Sequence, residues 1–187
     1  RQRQMCIRDS IRTNTEIGRG AVSVSYAAVE QITNKYDLKN SKFLCVGLGE
    51  TSKLSIRHLH QKGISKIKIT NRTKSKSDSF CSELGYESIP FDNYKKEILN
   101  SDVVIFSTSS KSPLLTKQDL KAIIRDRENK LLLVDLSVPR NLSDDLSDII
   151  NVEIINIDNL KDTVNENYKK RTAYVIKAER YIEEFLI

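Results

Sequence analysis

The segment Gly47-Leu48-Gly49-Glu50-Thr51-Ser52 carries the strongest chemical signal in the chain. It directly follows the apolar run Phe43-Leu44-Cys45-Val46 and opens an amphipathic stretch, so it reads as strand, glycine turn and helix in the pattern GxGxxS. That context matters, because the glycine spacing alone is common. Between a strand and a helix, Gly47 permits the tight turn, Gly49 lets the backbone approach a pyrophosphate, and the free N–H groups of the first helical turn favour that anion. Ser52, in place of the third glycine, is small enough for close helix packing. The alternative stays open that these glycines serve only a tight strand-to-helix turn.

The end of the next strand bears on which dinucleotide would bind. NAD-selective sites usually place an Asp or Glu about 20 residues after the glycines to hold the ribose 2′-hydroxyl. Here Ile67-Lys68-Ile69 runs into Thr70-Asn71-Arg72-Thr73, without a carboxylate. NADPH is therefore the expected cofactor. Arg72 stacks on adenine and forks onto a 2′-phosphate, Asn71 and Thr73 donate hydrogen bonds, and Lys74 and Lys76 add positive potential. These cations belong to a run from Thr51 to Ser77 that holds Lys53, Arg57, Lys62, Lys66, Lys68, Arg72, Lys74 and Lys76 and no carboxylate. The run reads as the field around that phosphate, while Lys62, Lys66 and Lys68 are open to a plain solvated basic face. Farther on, Ser107-Thr108-Ser109-Ser110 ends a fourth strand where a nicotinamide ribose would pass, or is a polar loop with no ligand. Asp135 to Arg140 closes the following strand and would line the nicotinamide end; equally, Arg140 caps a helix or pairs with Asp144 or Asp145.

Composition removes other chemistries. The chain has 187 residues, 39% hydrophobic and 30% charged, and a formal charge of +6. That is one ordinary domain with an extension, large enough to bury a core without staples. Three cysteines with no CxxC pair supply neither a disulfide framework nor a zinc knuckle, which fits a reducing cytoplasm. Cys45 in a buried strand and Cys81 on a helix face read as packing residues rather than nucleophiles, and Cys6 lies in an atypical leader. His58 and His60 are too few and too close for a typical metal site, so no metal is expected. No apolar run approaches the roughly 18 residues of a membrane span, and no signal peptide is evident, so no membrane partner is expected.

The elements that must position these residues follow from periodicity. Residues 1–10 have neither helical nor strand periodicity and read as a non-native leader. Gly18 and Gly20 suggest a linker before an amphipathic helix over 21–36. Strands are expected at 43–46, 67–69, 103–106, 131–134 and 152–157, with a weaker strand at Ser88-Ile89-Pro90-Phe91 whose proline suggests an edge or a strand end. Helices are expected near 50–62, 73–84, 92–99, 116–127 and 142–150, with Thr73, Asp92 and Thr116 as N-caps. Continuous apolar strands separated by helices imply a doubly wound α/β fold with a parallel sheet. From Asn159 to Ile187 the residues Leu160, Val164, Tyr168, Val175, Ala178, Ile182 and Phe185 recur near every third or fourth position, which predicts a long helix with an apolar stripe in want of a partner.

The stretch RTNTEIGRGAVSVSYAAVE, followed in order by GLGETS, ITNRT, IFSTSS, VDLSVPRNL and INIDNLKDTVNEN, resembles the central part of the glutamyl-tRNA reductase family, from about residue 11 to the end. The glycine turn and NRT are shared with shikimate dehydrogenase. After the leader read at 1–10, the resemblance implies an interdomain linker and helix at 11–36, an NADP-binding Rossmann domain at 37–158, and the start of a spinal dimerisation helix at 159–187. It also implies an NADPH enzyme of tetrapyrrole (5-aminolevulinate) biosynthesis. Such an enzyme takes glutamyl-tRNA through a cysteine thioester, reduces it to glutamate 1-semialdehyde, forms a homodimer and can pass its product to glutamate-1-semialdehyde aminomutase. The catalytic cysteine belongs to a domain that these residues do not contain, so no catalytic residue is assigned and the chain alone is expected to be inactive. The family's third turn glycine is Ser52 here, which is expected to weaken pyrophosphate packing. Two other readings remain: a shikimate-dehydrogenase-like enzyme, whose Lys–Asp pair and substrate domain are not found, and a non-catalytic dinucleotide-binding or assembly module.

Overall fold

The computed structural model describes residues 16–37, 40–125, 127–160 and 164. A long helix, α1 (Glu16–Lys35), precedes an alternation of strands and helices: β1 (Phe43–Val46), α2 (Glu50–Gln61), β2 (Ile67–Thr70), α3 (Lys74–Leu84), β3 (Glu87–Ser88), α4 (Tyr94–Ile98), β4 (Val103–Phe106), α5 (Lys117–Ile123), β5 (Leu131–Asp135) and β6 (Val152–Asn156). The six strands form one parallel sheet in the order β3-β2-β1-β4-β5-β6. This is the doubly wound Rossmann-like arrangement.

Four-residue strands suffice because both faces are covered. Phe43, Cys45, Ile67, Ile69, Val103 and Ile105 project to one side, against α1, α2 and α3. Leu44, Val46, Val104 and Phe106 project to the other, toward α4 and α5. Every β1 side chain is at most 1% exposed, and each such aliphatic or aromatic side chain contributes about 1.5–3 kcal/mol on burial. Register then fixes the site. Val46 lies opposite Thr70 on one side and Phe106 on the other, and Phe106 lies opposite Asp135. The loops that begin at 47, 71, 107 and 136 therefore leave the same edge of the sheet.

Several boundaries differ from the periodicity. α1 reaches back to Glu16, so Gly18 and Gly20 lie inside the helix and do not form a linker before it. The expected strand at 88–91 begins one residue earlier, at Glu87, and ends at Ser88, because Ile89 N–H makes the last bond, to Ile69 O, and Pro90 has no N–H to continue. Phe91–Asn93 is a 3₁₀ turn leading into α4, whose N-cap is Asn93 rather than Asp92. The helix expected at 142–150 is only a 3₁₀ helix, Asp144–Asp148. Thr116 does cap α5, in a capping box with Asp119, but α5 stops at Ile123.

β6 ends one residue early, at Asn156, and a helix begins at 157. Asn156 Oδ1 accepts Asn159 N–H at 3.0 Å while Asn159 Oδ1 accepts Asn156 N–H at 2.9 Å, a reciprocal cap. Leu160 is fully buried and Val164 packs on the α1–α2 side of the core. The rest of the expected long helix, with Tyr168, Val175 and Ile182, lies outside the described residues, as does the leader.

Candidate dinucleotide-binding site

The glycine turn is set by two different needs. Gly47 has φ +96° and donates its N–H to Thr70 O at 2.8 Å. A Cβ at this position would lie 2.3 Å from Ser107 O and 2.6 Å from Thr108 Cγ2, so the fold itself requires glycine. Gly49 differs. Its φ is −75° and a Cβ there would meet only Ser107 O, at 3.9 Å. The fold leaves this position room for a side chain, and the space above it is open. Ser52 is buried and donates its hydroxyl to Gly47 O at 2.7 Å, so the residue in the third-glycine position ties the helix to the turn.

Helix α2 starts at this turn without a side-chain cap, and Lys53 N–H to Gly49 O at 3.0 Å is its first intrahelical bond. Its first turn is braced from the far side. Thr51 O accepts the hydroxyls of Ser25 from α1, at 3.0 Å, and of Ser55, at 2.9 Å. Ser25, Ala27 and Ala28 are fully buried, and such small side chains let α1 lie close on α2.

Leu48, Gly49, Glu50, Thr51, Ser107, Thr108 and Ser109 line one cleft of about 490 Å³, together with Val24, Leu136, Val138 and Ile157. Asn71, Arg72 and Thr73 do not line it; they stand on the loop after β2. Asn71 Nδ2 donates to Thr73 O at 3.0 Å, which folds that loop on itself. The Arg72 side chain is exposed and bonds no described residue. A cleft of similar size, about 480 Å³, opens at the amino ends of β1 and β2 beside Lys42, Lys66 and Lys68. It has no helix start or glycine turn, and Lys68 is held there by Glu97 at 2.9 Å.

The basic run proves partly structural. Arg57 pairs with Glu83 at 2.8 Å, Lys68 with Glu97, and Lys74 with Asp78 at 2.7 Å. The Lys74 hydrogen bond holds the Asp78 carboxyl below its usual range. Of the two lysines expected to add potential near Arg72, Lys74 is thus neutralised locally, and Lys76 makes no ion pair with a described residue.

Sequence reasoning missed the polar knot behind the cleft. Asp135 is buried; its Oδ1 accepts Ser137 N–H at 3.0 Å, and its Oδ2 accepts Asn141 N–H at 2.7 Å and Leu142 N–H at 3.0 Å. Asn141, fully buried, accepts at Oδ1 from Thr108 Oγ1 at 2.5 Å and from Ser137 Oγ at 2.9 Å. Thr108 Oγ1 also accepts Ser110 N–H at 3.0 Å. The Thr108 hydroxyl is therefore committed to the protein, whereas the Ser107 and Ser109 hydroxyls bond no described residue. Val138-Pro139 is a cis peptide within this loop. Arg140 pairs with Asp144 at 2.8 Å and Asp158 at 2.7 Å, the structural role left open for it, with Asp158 rather than Asp145 as second partner. The signal in the sequence was an Asp ending an apolar strand with Asn six residues on.

The cysteines and histidines sit in packed surroundings. Burial pushes the Cys45 thiol up to about 12 and the Cys81 thiol up to about 11. His58 packs edge-on against Tyr26, and His60 Nδ1 lies 2.8 Å from Tyr86 Oη. Among the described residues no cluster suits a metal ion and no helix is long and apolar enough to cross a membrane.

Comparison with known proteins adds kinship to this geometry. The family described as Shikimate / quinate 5-dehydrogenase matches residues 27–163. A glutamyl-tRNA reductase of Sulfurihydrogenibium sp. (strain YO3AOP1) is 37% identical over 175 residues, covering 93% of this chain and 40% of that protein. One from Chlorobium phaeobacteroides (strain DSM 266 / SMG 266 / 2430) is 37% identical over 180 residues, covering 95% and 42%. Among solved structures, glutamyl-tRNA reductase from Methanopyrus kandleri matches with a TM-score of 0.76 at 31% identity, over 94% of this chain and 45% of that one. The nucleotide binding domain of glutamyl-tRNA reductase from Thermoplasma volcanium shares the fold, with a TM-score of 0.57 at 21% identity over 80% and 96%. The chain spans about two fifths of the length of the relatives it matches in sequence.

Proposed function

The chain belongs to the Shikimate / quinate 5-dehydrogenase family and is a relative of the glutamyl-tRNA reductases; from that premise we propose that it is the NADPH-binding portion of such a reductase. The observation that carries the reading is the contrast at the turn. Gly47 is demanded by the fold, but Gly49 is not, and it stands open at an uncapped helix start on the floor of a cleft. A diphosphate laid over Gly49 meets the N–H groups of α2's first turn, which suits this otherwise unneeded glycine. Ser52 holds the turn below it. Arg72, paired with no acidic residue among those described, forks onto the 2′-phosphate, with Asn71 and Thr73 beside it. Ser107 and Ser109 offer hydroxyls to the second ribose, and Asn141 fixes the loop that carries them through Thr108. Leu48, Glu50 and Thr51 complete the wall.

Bound NADPH would supply a hydride to an acyl group derived from glutamyl-tRNA, giving glutamate 1-semialdehyde for tetrapyrrole synthesis. The residue that holds that acyl group belongs to a catalytic domain beyond this chain, since the buried thiols of Cys45 and Cys81 are unsuited to attack. The same reading places the parent enzyme in the cytoplasm as a homodimer joined through the helix that follows β6, with an aminomutase as recipient of the aldehyde.

The test is a titration of Arg72→Ala with NADPH and NADH. Loss of a charged fork onto phosphate removes about 1.5–3 kcal/mol, roughly a ten- to hundredfold fall in NADPH affinity, with NADH unaffected. Unchanged selectivity refutes the assignment of Arg72.

A further inference from the structure

A carbonyl inside a helix ordinarily takes one backbone N–H, and Thr51 O in the first turn of α2 takes two hydroxyls besides. Helical geometry over Glu50–Gln61 gives it Ser55 N–H. Ser55 Oγ donates to it at 2.9 Å, and Ser25 Oγ, from α1, at 3.0 Å. Both serines are fully buried. The Ser55 bond stays within one turn of its own helix, whereas the Ser25 bond joins residues 26 apart in the chain and crosses from α1 to α2. Thr51 itself lines the cleft, and Val24, the residue before Ser25, lines it from α1. The first turn of α2 therefore has two anchors: Ser52 Oγ ties it to Gly47 O at 2.7 Å, and Ser25 ties it to α1 behind. A helix start without a side-chain cap frays unless something outside the helix holds it, and α2 has no such cap.

We propose that Ser25 is a positioning residue for the diphosphate: through the Thr51 carbonyl it fixes the first turn of α2 against α1, so that the N–H groups of that turn are aimed before the cofactor arrives. The proposal rests on the reading that a dinucleotide lays its diphosphate over Gly49. Donors held in place beforehand bind an anion more tightly than donors that must be ordered on binding, because the ordering cost is already met by the fold. Ser25 is fully buried, so it acts through Thr51 and not by touching the ligand. Its effect is confined to the diphosphate, since the 2′-phosphate is assigned to Arg72 on the loop after β2. The helix α1 is then a working part of the cofactor site and not only a connection leading to it.

The experiment titrates the chain, as wild type, Ser25→Ala and Ser25→Cys, with NADPH, NADH and 2′-AMP, whose single phosphate is the one assigned to Arg72. Cysteine nearly keeps the volume of serine but is a weak donor, so it separates the bond from the packing. Both variants should bind NADPH and NADH about three- to tenfold more weakly than wild type, the size expected for one lost hydrogen bond. The ratio between the two dinucleotides should be kept, and 2′-AMP should bind all three proteins equally. Melting curves check folding; if a Ser25 variant does not fold, Ser55→Ala, which takes the other hydroxyl from the same carbonyl, carries the same expectation. A variant that melts lower but binds every probe as wild type does, a Ser25→Cys that matches wild type, a loss confined to NADPH, or an equal fall for all three probes overturns the positioning role, while wild-type NADPH binding upholds the cofactor site. Failure of wild type to bind either dinucleotide overturns both.

Discussion

Substituting alanine at Gly47 and at Gly49 separates what the fold needs from what the ligand needs. At Gly47 the added Cβ would sit 2.3 Å from a backbone oxygen, Ser107 O, and 2.6 Å from Thr108 Cγ2. Neither neighbour can swing away, because Ser107 N–H is bonded to Val46 O at 2.9 Å and the Thr108 hydroxyl to Asn141. A positive φ of this kind costs an L-residue about 1–2 kcal/mol, and overpacking adds about 1–3 kcal/mol. Displacing the turn also strains the buried bond from Ser52 Oγ to Gly47 O, worth about 0.5–1.5 kcal/mol. Gly47→Ala should therefore lose about 3–6 kcal/mol, a large share of the ~5–15 kcal/mol that holds a domain together. Gly49→Ala should stay within about 1 kcal/mol of wild type, since its backbone is ordinary and a poorer N-cap offsets a stiffer unfolded chain. Its methyl group nevertheless rises from the cleft floor, so NADPH affinity should fall at least tenfold. Urea unfolding and fluorescence titration read the two quantities separately. A stable Gly47→Ala refutes the packing argument; a Gly49→Ala that binds NADPH normally refutes the path of the diphosphate.

Asp135→Asn leaves one acceptor oxygen for three backbone N–H groups and turns a donor toward them; it should lose about 2–4 kcal/mol and melt lower by about 2–4 °C for each, and a midpoint within 1 °C of wild type would contradict the knot. A thiol reagent at pH 8 should modify no more than Cys6 in the native protein and all three cysteines in denaturant; fast native labelling of a second thiol would disprove the burial of Cys45 and Cys81. Asp119 is held below the usual carboxylate range, first by the hydrogen bond from Lys95 and then by Thr116. Because the folded value is the lower one, its contribution is fully present above pH ~4–5 and is lost as pH falls through that lowered value. Asp119→Asn should be destabilising at neutral pH and converge with wild type in acid, and a constant difference at pH 7 and pH 3 would exclude the linkage.

What the sequence disclosed and what it hid divide along contact range. Strand and helix order were legible because a four-residue apolar run bounded by glycine or asparagine, such as Phe43 to Val46, encodes its own burial. Pro90 shows a local rule at work: the edge position or strand end that its missing N–H suggests is found, since β3 is the edge strand and stops at Ser88 before it. Residues 142–150 show patterning without commitment, since a single 3₁₀ helix, Asp144–Asp148, stands where a full helix was expected before β6 begins at Val152. The partners of the basic run were invisible because of contact range. Only Lys74–Asp78 is a helix-neighbour pair, while Arg57–Glu83 and Lys68–Glu97 close across the fold. A local cluster of cations therefore overstated the field left for a ligand.

The residues proposed for the cofactor were chosen by type and position along the chain, and the structure sorts them by a different criterion, namely whether the protein has already used their bonding capacity. Gly47, Ser52 and Thr108 are consumed internally: one by a close approach, one by its bond to a buried carbonyl, one by Asn141 and Ser110. The space over Gly49 and the side chains of Arg72, Ser107 and Ser109 are left unused by the described residues. The two groups are neighbours along the chain, 47 beside 49 and 108 between 107 and 109. One group holds the loops in place and the other keeps bonding capacity at the cleft. A motif written as GxGxxS or STSS merges the two groups. Substitutions in the first group should lower stability before affinity, and substitutions in the second should lower affinity alone, so that order of loss identifies which residues of the motif touch the ligand.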